Sequence, residues 1–313
     1  MNKASIIGAG LAAALAVAVT PAHAAVPAAG KIAFSTDFGP DPQLYTVNPD
    51  GSGETQITRS ADGIATNPAF TSDGTKLVFQ GNAAGDWQLY EASVDGTGRR
   101  LLFSDPGVDD LQPRISPDGT RITFARCPLK ITCVIETARL DGTDMKQLTS
   151  LVWNSGHPVW SPDGTRIAFE SNQDSLLSAV WAMGADGTQQ RRLTAPELEA
   201  FGPDWSPDGS RMLFTDLCCL FGSNAWVMSA DGSTPRQLTH FPTGHQGGFA
   251  SYSPDGKRVV LIADLKYRDN CCGDLYTMDA NGTHLTRIVT DQPAVASSDW
   301  GPAPSPRASG GRP

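Results

Sequence analysis

Histidines and carboxylates are the side chains of this sequence that could bind a metal ion or transfer a proton. The segment HFPTGHQGG carries His240 and His245, and the segment HPVWSPDGTRIAFES begins with His157. Imidazole suits transition metals, but a metal site needs three or four ligands that converge on one point. The candidates here are spread over loops, so we predict no metal site and no cofactor.

Motifs of covalent and phosphate chemistry are absent from the sequence. It contains no GxSxG elbow, no HExxH helix, no EF-hand loop and no GxxxxGK[ST] loop. We therefore assign no catalytic residue.

Cysteines form a second set of reactive side chains, and the sequence has six: Cys127, Cys133, Cys218, Cys219, Cys271 and Cys272. Residues 1–24, MNKASIIGAGLAAALAVAVTPAHA, have one Lys, an apolar run and a small-x-small end, which is typical of a signal peptide cleaved after Ala24. In an exported chain an even number of cysteines indicates disulfides. Cys127 and Cys133 could close one loop. The two Cys-Cys pairs could bond to each other or form vicinal bonds, and redox or metal chemistry is the alternative.

Charge excludes one class of partner. The chain has 24 basic and 33 acidic residues, a net charge of −9. Nucleic acid binding depends on neutralising phosphates with Lys and Arg, so we predict no nucleic acid partner. After residue 24 no stretch is long and apolar enough to span a membrane, which predicts no membrane insertion.

The secondary-structure elements that must position these residues belong to a single repeated unit. Five segments align on an Asp-Gly turn: NPAFTSDGTKLVFQGN, QPRISPDGTRITFARC, HPVWSPDGTRIAFESN, GPDWSPDGSRMLFTDL and FASYSPDGKRVVLIAD. A second Asp/Asn-Gly series, from LYTVNPDG to LYTMDANG, alternates with the first and has six members. Two hairpins in each unit of about 45 residues predict four-stranded blades of a β-propeller.

The number of blades follows from the two ends of the repeat. The first unit starts at KIAFSTD without an inner strand, and SSDWGPAP, residues 297–304, matches that missing strand. We therefore predict an all-β, six-bladed propeller of four-stranded antiparallel blades, closed by the C-terminal strand joining the N-terminal blade. Closure leaves no open sheet edge.

The SPDG turn followed by an alternating strand resembles the WD40-like repeat of the TolB-like (PD40) propeller family, from about residue 30 to 301. The resemblance implies the propeller fold. The α/β domain that precedes the TolB propeller has no counterpart here, which argues against a role in the Tol-Pal complex. We expect a signal peptide at 1–24, the propeller at 25–301 and a disordered Pro/Gly-rich tail at 302–313.

Functional positions are expected on one side of the ring. The Asp-Gly turns all lie on one face, the turn face, so the other loops form a variable face. The residues that open each inner strand should ring the channel mouth: Asn67, Gln112, His157, Gly202, Phe249 and Ser297. From these and the nearby loops we predict a binding site of Asn67, Gln112, His157, Glu170, His240, His245 and Asp264, with Asp37, Asp109, Asp110, Glu197 and Glu199 adding negative charge.

These observations predict an exported, non-catalytic binding module, secreted or periplasmic, that presents its variable face to a protein or peptide. We expect it to be a monomer. The alternative is a stand-alone propeller enzyme, a metal-dependent lyase or a hydrolase, acting at the channel mouth through His157, His245 and loop acids.

Overall fold

Six four-stranded antiparallel sheets make up the structure, a computed structural model that describes residues 30–36, 41–83, 85–128, 130–216, 222–242, 244–265, 273–288, 290, 292 and 294–304. The described residues contain 24 strands and one short 3₁₀ helix, Ser60–Asp62. This arrangement confirms the six-bladed propeller. Within the same residues, no helix has the length and hydropathy that a membrane span needs.

The strands of each blade follow one another along the chain, except in blade 1. Blade 1 contains β1 (Lys31–Thr36), β2 (Leu44–Val47), β3 (Thr55–Gln56) and β24 (Val295–Gly301). Blade 2 contains β4 (Ala65–Phe70), β5 (Lys76–Gly81), β6 (Gln88–Ser93) and β7 (Arg100–Phe103). Blade 3 contains β8 (Asp109–Ile115), β9 (Arg121–Cys127), β10 (Val134–Arg139) and β11 (Lys146–Gln147). Blade 4 contains β12 (Ser155–Trp160), β13 (Arg166–Ser171), β14 (Ala179–Gly184) and β15 (Arg191–Arg192). Blade 5 contains β16 (Ala200–Trp205), β17 (Arg211–Asp216), β18 (Ala225–Ser229) and β19 (Arg236–Gln237). Blade 6 contains β20 (Gln246–Tyr252), β21 (Arg258–Asp264), β22 (Asp274–Asp279) and β23 (Thr286–Ile288).

The ring closes as the sequence predicts. The sheet of blade 1 has the order β24-β1-β2-β3, so the last strand of the chain is its inner strand. β24 pairs antiparallel with β1, with Lys31 opposite Gly301 and Ile32 opposite Trp300. Both ends of the propeller are therefore held by the same sheet.

The Asp-Gly turns are satisfied by their own atoms. In the turn of blade 4, Asp163 Oδ1 accepts hydrogen bonds from Ser161 Oγ at 2.6 Å and from the Thr165 N–H at 3.0 Å. These bonds lower the pKa of Asp163 to about 2. Gly164 takes a φ of 70°, a region that glycine enters without steric cost. The SPDG sequence is thus explained by the geometry of the turn.

The core lies between neighbouring blades and repeats with them. The middle of each second strand carries a fully buried large side chain: Phe34, Phe79, Phe124, Phe169, Phe214 and Leu261. Trp160, Trp205 and Trp300 occupy one repeated position of the inner strands and are buried, as predicted for core packing. The faces of each sheet are both apolar because each blade is covered on both sides.

One predicted disulfide is present. Cys127 ends β9, and its sulfur is bonded to that of Cys133, just before β10, which closes the loop of six residues between the second and third strands of blade 3. The predictions for Asp37, Cys218, Cys219, Cys271 and Cys272 lie outside the described residues, as do the signal peptide at 1–24 and residues 305–313 of the tail.

The prediction that Asp110 adds charge to the variable face is wrong. Asp110 lies in β8 and its side chain has no exposed surface. Burial raises its pKa to about 7, although the nearby Arg126 acts in the opposite direction. The alternation of β8 turns Asp110 inward, and the adjacent Asp109 is the one that reaches partial exposure.

Candidate functional site

The channel mouth is formed by β-bulges in the inner strands. Five of the six residues predicted to ring the mouth have a positive φ: Asn67 (51°), Gln112 (54°), His157 (45°), Gly202 (59°) and Phe249 (49°). Each lies at a shift in the register with the second strand, two or three residues inside the strand and not at its opening. Ser297, the sixth, has no positive φ. All six line the same central cavity.

The bulges also join one blade to the next. The backbone N–H of His157 donates to Gln112 Oε1 at 2.8 Å, and that of Gln112 donates to Gln80 Oε1 at 2.8 Å. In blade 6 the Phe249 N–H donates to Thr215 Oγ1 at 2.9 Å, and in blade 2 the Asn67 N–H donates to Ser297 Oγ at 3.1 Å. In each case the acceptor belongs to the preceding blade. Gln112 and Ser297 are thus structural residues as well as mouth residues.

His157 and Glu170 form the central polar pair of the mouth. His157 Nδ1 lies 3.0 Å from Glu170 Oε2, and Gln112 Nε2 lies 3.0 Å from His157 Nε2. Because Gln112 Oε1 accepts the His157 N–H, its amide nitrogen must face the ring, which suits an imidazole with its proton on Nδ1. Burial acts to raise the pKa of Glu170, but the net shift of this pKa is downward. It is lowered by attraction to a charged His157 ring, by the hydrogen bond from His157 and by a hydrogen bond from the Gly202 N–H.

Two aromatic side chains lie beside this polar pair. The Phe249 ring lies 5.3 Å from the Phe201 ring and 5.7 Å from the His157 ring, measured between centroids. Phe249 remains exposed. The mouth therefore offers an apolar surface beside a hydrogen-bonded acid, a combination that suits a peptide side chain or backbone.

The central cavity that the mouth residues line is small. It measures about 40 Å³, room for only a few water molecules. Arg114 and Asp204 lie in its wall. Asp204 Oδ2 accepts the Tyr252 N–H at 2.8 Å, and burial raises the pKa of Asp204 to about 7.

The two inserted histidines lie apart from this pair. His245 Nδ1 is 3.3 Å from the Asp264 backbone oxygen, and the Asp264 side chain is buried at the end of β21. His240 is exposed on the preceding loop. Neither histidine lines the channel cavity. In the parts of the chain that the structure describes, no three His, Cys, Asp or Glu side chains are grouped as metal ligands.

Comparison with known families agrees with the geometry. The PD40 family model, described as TolB beta propeller domain, matches residues 11–207 and, in an overlapping second match, residues 110–266. The chain belongs to the TolB β-propeller family. No curated protein matches it significantly.

Solved structures extend the TolB likeness to other propellers. TolB from Acinetobacter baumannii has a TM-score of 0.72 and 20% identity, over 87% of this chain and 67% of that chain. A chain of the nidogen/laminin complex has a TM-score of 0.65 and 12% identity, over 86% of this chain and 98% of that chain. Oligogalacturonate lyase in complex with manganese has a TM-score of 0.56 and 18% identity, over 83% and 74%. At these identities the likeness is one of fold.

Sequence reasoning leaves two parts of the variable face out of the binding site. It places Phe249 at the channel mouth but does not assign it to the binding site, and it does not single out Phe201, although a Phe next to the repeated mouth position is a usable signal. It also misses the apolar residues in the loops LVWN, 151–154, and SLL, 175–177. Loops at a surface are usually polar, so these runs could have been noticed.

Proposed function

We propose that this protein is a non-catalytic binding module that holds a protein or peptide on its variable face. The contrast between the two faces carries the proposal. On the turn face the Asp of each Asp-Gly turn is used by its own turn, as at Asp163 and Asp208, whose pKa values of about 2 reflect bonds from Ser161 and Ser206. On the variable face, Phe249 is exposed beside the His157–Glu170 pair.

Export is part of the proposal. It is supported by the signal-like residues 1–24 and by the Cys127–Cys133 bond, since structural disulfides persist in oxidising compartments. A secreted or periplasmic location and a monomeric state are therefore proposed. An acidic chain is also poorly suited to nucleic acid.

The fold neighbours are compatible with protein binding. The propeller likeness to a chain of the nidogen/laminin complex shows that such a ring occurs in a protein assembly. A rigid ring whose bulges are tied blade to blade keeps its mouth preorganised, which lowers the entropic cost of association.

Site-specific cross-linking tests which face binds. A photoreactive phenylalanine at position 249 should cross-link a discrete partner in the host envelope fraction, whereas the same group in place of Leu285, on the turn face, should give at least tenfold less product. Gel analysis with mass spectrometry reads the result. Equal cross-linking from both positions, or cross-linking from position 285 alone, would contradict the proposal.

The His157–Glu170 pair supports one alternative, a propeller enzyme at the mouth. A half-buried carboxylate 3.0 Å from an imidazole can orient a general base, and the fold resembles that of a lyase crystallised with manganese. Among the described residues no third His, Cys, Asp or Glu joins this pair as a ligand, and two ligands do not fit a metal site. The role that remains for the pair in such an enzyme is proton transfer by the imidazole.

Metal analysis separates the two functions. We expect well under one equivalent of transition metal in the purified protein, and a melting temperature unchanged by EDTA. A bound metal at a hundredfold excess over its dissociation constant would add about 2.7 kcal/mol of stability, and chelation would remove it. A stoichiometric metal that is lost on His157→Ala, with the fold intact by circular dichroism, would favour the enzyme.

A further inference from the structure

Exposed apolar side chains are concentrated in three loops of blades 3 and 4. Ile131 is 82% exposed, Val152 is 73% exposed and Leu176 is 98% exposed. Ten large apolar residues are exposed in the described chain, and six of them form this group, which we call the loop patch: Ile131, Leu151, Val152, Trp153, Leu176 and Leu177. Single exposed apolar residues are ordinary, but a concentrated group marks an interaction surface.

The three loops adjoin one another and have fixed backbones. The Cys133 N–H donates to Asn154 Oδ1 at 2.9 Å, and the Ser155 N–H donates to the Cys133 oxygen at 2.9 Å. The Asn154 N–H in turn donates to Asn172 Oδ1 at 3.0 Å. The disulfide to Cys127 closes the first loop. The apolar side chains are thus held in water by a preformed frame, and they do not fold back onto the core.

Acidic residues lie on both sides of the loop patch. Lys130, next to Ile131, is 2.6 Å from Asp86 and 3.4 Å from Asp109, so its charge is already neutralised. On the other side, Arg192 is paired with Asp174 at 2.8 Å. Arg126 is paired in the same way with Asp105 at 2.5 Å. Against these three cations the flanking loops and strand ends carry six carboxylates, so the rim keeps an excess of negative charge: Asp86, Asp105, Asp109, Asp174, Glu197 and Glu199. Glu197 and Glu199 form no ion pair within the described part of the chain.

The connection that carries Glu197 and Glu199 borders the third loop directly. The Ala200 N–H, which follows Glu199, donates to the Ser178 oxygen at 2.9 Å, just after Leu177. The patch therefore combines apolar anchors with a negative field at its rim. A partner complementary to it must be apolar in its centre and positively charged around it.

We propose that the loop patch docks a basic amphipathic segment of a partner protein, whose apolar side chains lie on Val152 and Leu176 and whose Lys and Arg face the flanking acids. This inference rests on the proposed binding function and names its place and the chemistry of the partner. An anionic lipid surface is disfavoured because the same carboxylates would repel it. A second copy is disfavoured because it would bring identical acidic rims together.

A random 12-residue peptide library displayed on phage, selected against the folded protein, is the probe. We expect enrichment of peptides that contain Leu, Ile or aromatic residues together with Lys or Arg. Their affinity for the double variant Val152→Ser/Leu176→Ser should be at least tenfold weaker, and it should weaken further with added salt. Both side chains are solvent-exposed, so the variant should melt as the natural chain does. Leu285→Ser, on the turn face, is the matched control.

The other outcomes are distinct. Peptides that keep their affinity for the double variant but lose it on Phe249→Ser would overturn the patch and leave the proposed function standing. Enrichment of acidic peptides would overturn the chemistry assigned to the partner. Patch-dependent binding to phosphatidylglycerol vesicles, or a dimer in sedimentation that the double variant abolishes, would replace the protein partner by a membrane or a second copy. Absence of any selected peptide would count against both the inference and the proposed function.

Discussion

A chain that ends at Ala294 will fail to unfold cooperatively, because it lacks the inner strand of blade 1. β24 supplies Trp300 to the core between blades 6 and 1, and its Asp299 Oδ2 accepts the Phe70 N–H of blade 2 at 2.9 Å. Without it, β1 has an unpaired edge and three blades lose contacts. Thermal melting by circular dichroism should show one sharp transition for a chain that ends at Pro304 and none for the shorter chain.

A single substitution grades the same effect. Trp300→Ala keeps the strand but removes a buried aromatic side chain, which costs about 3–5 kcal/mol of the free energy of unfolding. Trp153→Ala is the control, since Trp153 is partly exposed in the loop patch and should change stability by less than about 0.5 kcal/mol. Urea denaturation measures both. A closure strand that contributes little would be indicated by equal losses in the two variants, or by a cooperative transition in the chain that ends at Ala294.

Stability should fall as pH rises from 5 to 8, and Asp110→Asn should remove much of that fall. Both Asp110 oxygens lack a hydrogen-bond donor among the described residues, and Arg126 Nε is 3.8 Å away, too far for a hydrogen bond. Burial raises the pKa of Asp110 to about 7, and Glu136, Asp105 and Asp109 act in the same direction. The folded protein therefore keeps a proton that the unfolded chain, with an ordinary carboxyl pKa, has lost.

The sign follows from proton linkage. Between pH 5 and 7 the folded state binds one more proton at Asp110, so the free energy of unfolding decreases by about 1.4 kcal/mol per pH unit and levels off above the folded pKa. Relative to the natural chain, the Asp110→Asn variant should thus gain about 3 kcal/mol between pH 5 and pH 8. Asp204, also with a pKa of about 7, adds a fall of the same sign that both chains share.

A turn aspartate provides the control for this comparison. A hydrogen bond from Thr143 lowers the pKa of Asp141, so its contribution is complete above the ordinary carboxyl pKa and is lost only at more acidic pH. Asp141→Asn should run parallel to the natural chain from pH 5 to 8, and Asn281 already occupies the equivalent turn of blade 6. Urea titrations at each pH give the curves. A constant difference between Asp110→Asn and the natural chain would refute the assigned pKa.

Most of the fold could be predicted because the sequence signals that specify it are local and repeated. Each hairpin depends on a turn of four residues, and Gly164 with Asp163 is enough to define one. The blade count followed from the strand that the N-terminus lacks and the C-terminus supplies. Both inferences need only the pattern of the chain and no knowledge of distant contacts.

The site was less accessible to sequence for a physical reason. The left-handed bulge at His157 and Phe249 is stabilised by acceptors from the preceding blade, at Gln112 and Thr215, so no local sequence favours it. Gly202 at the equivalent position was the one hint. Asp110 was misplaced because alternation along β8 could begin on either face until its register with β9 was known.

The pairing of Lys31 with Gly301 has a practical consequence for presenting this molecule. That pair lies at the turn-face end of blade 1, where the chain after Gly301 runs against the turn glycine Gly74: a Cβ there would come within 2.2 Å of the Pro302 oxygen. Immobilisation on a sensor chip through a tag joined directly to Lys31 or to Pro304 would therefore attach the ring by its turn face, with the His157 mouth and the loop patch facing the solution. Fusion partners placed there would lie on the turn-face side of the ring, away from a ligand that approaches the variable face.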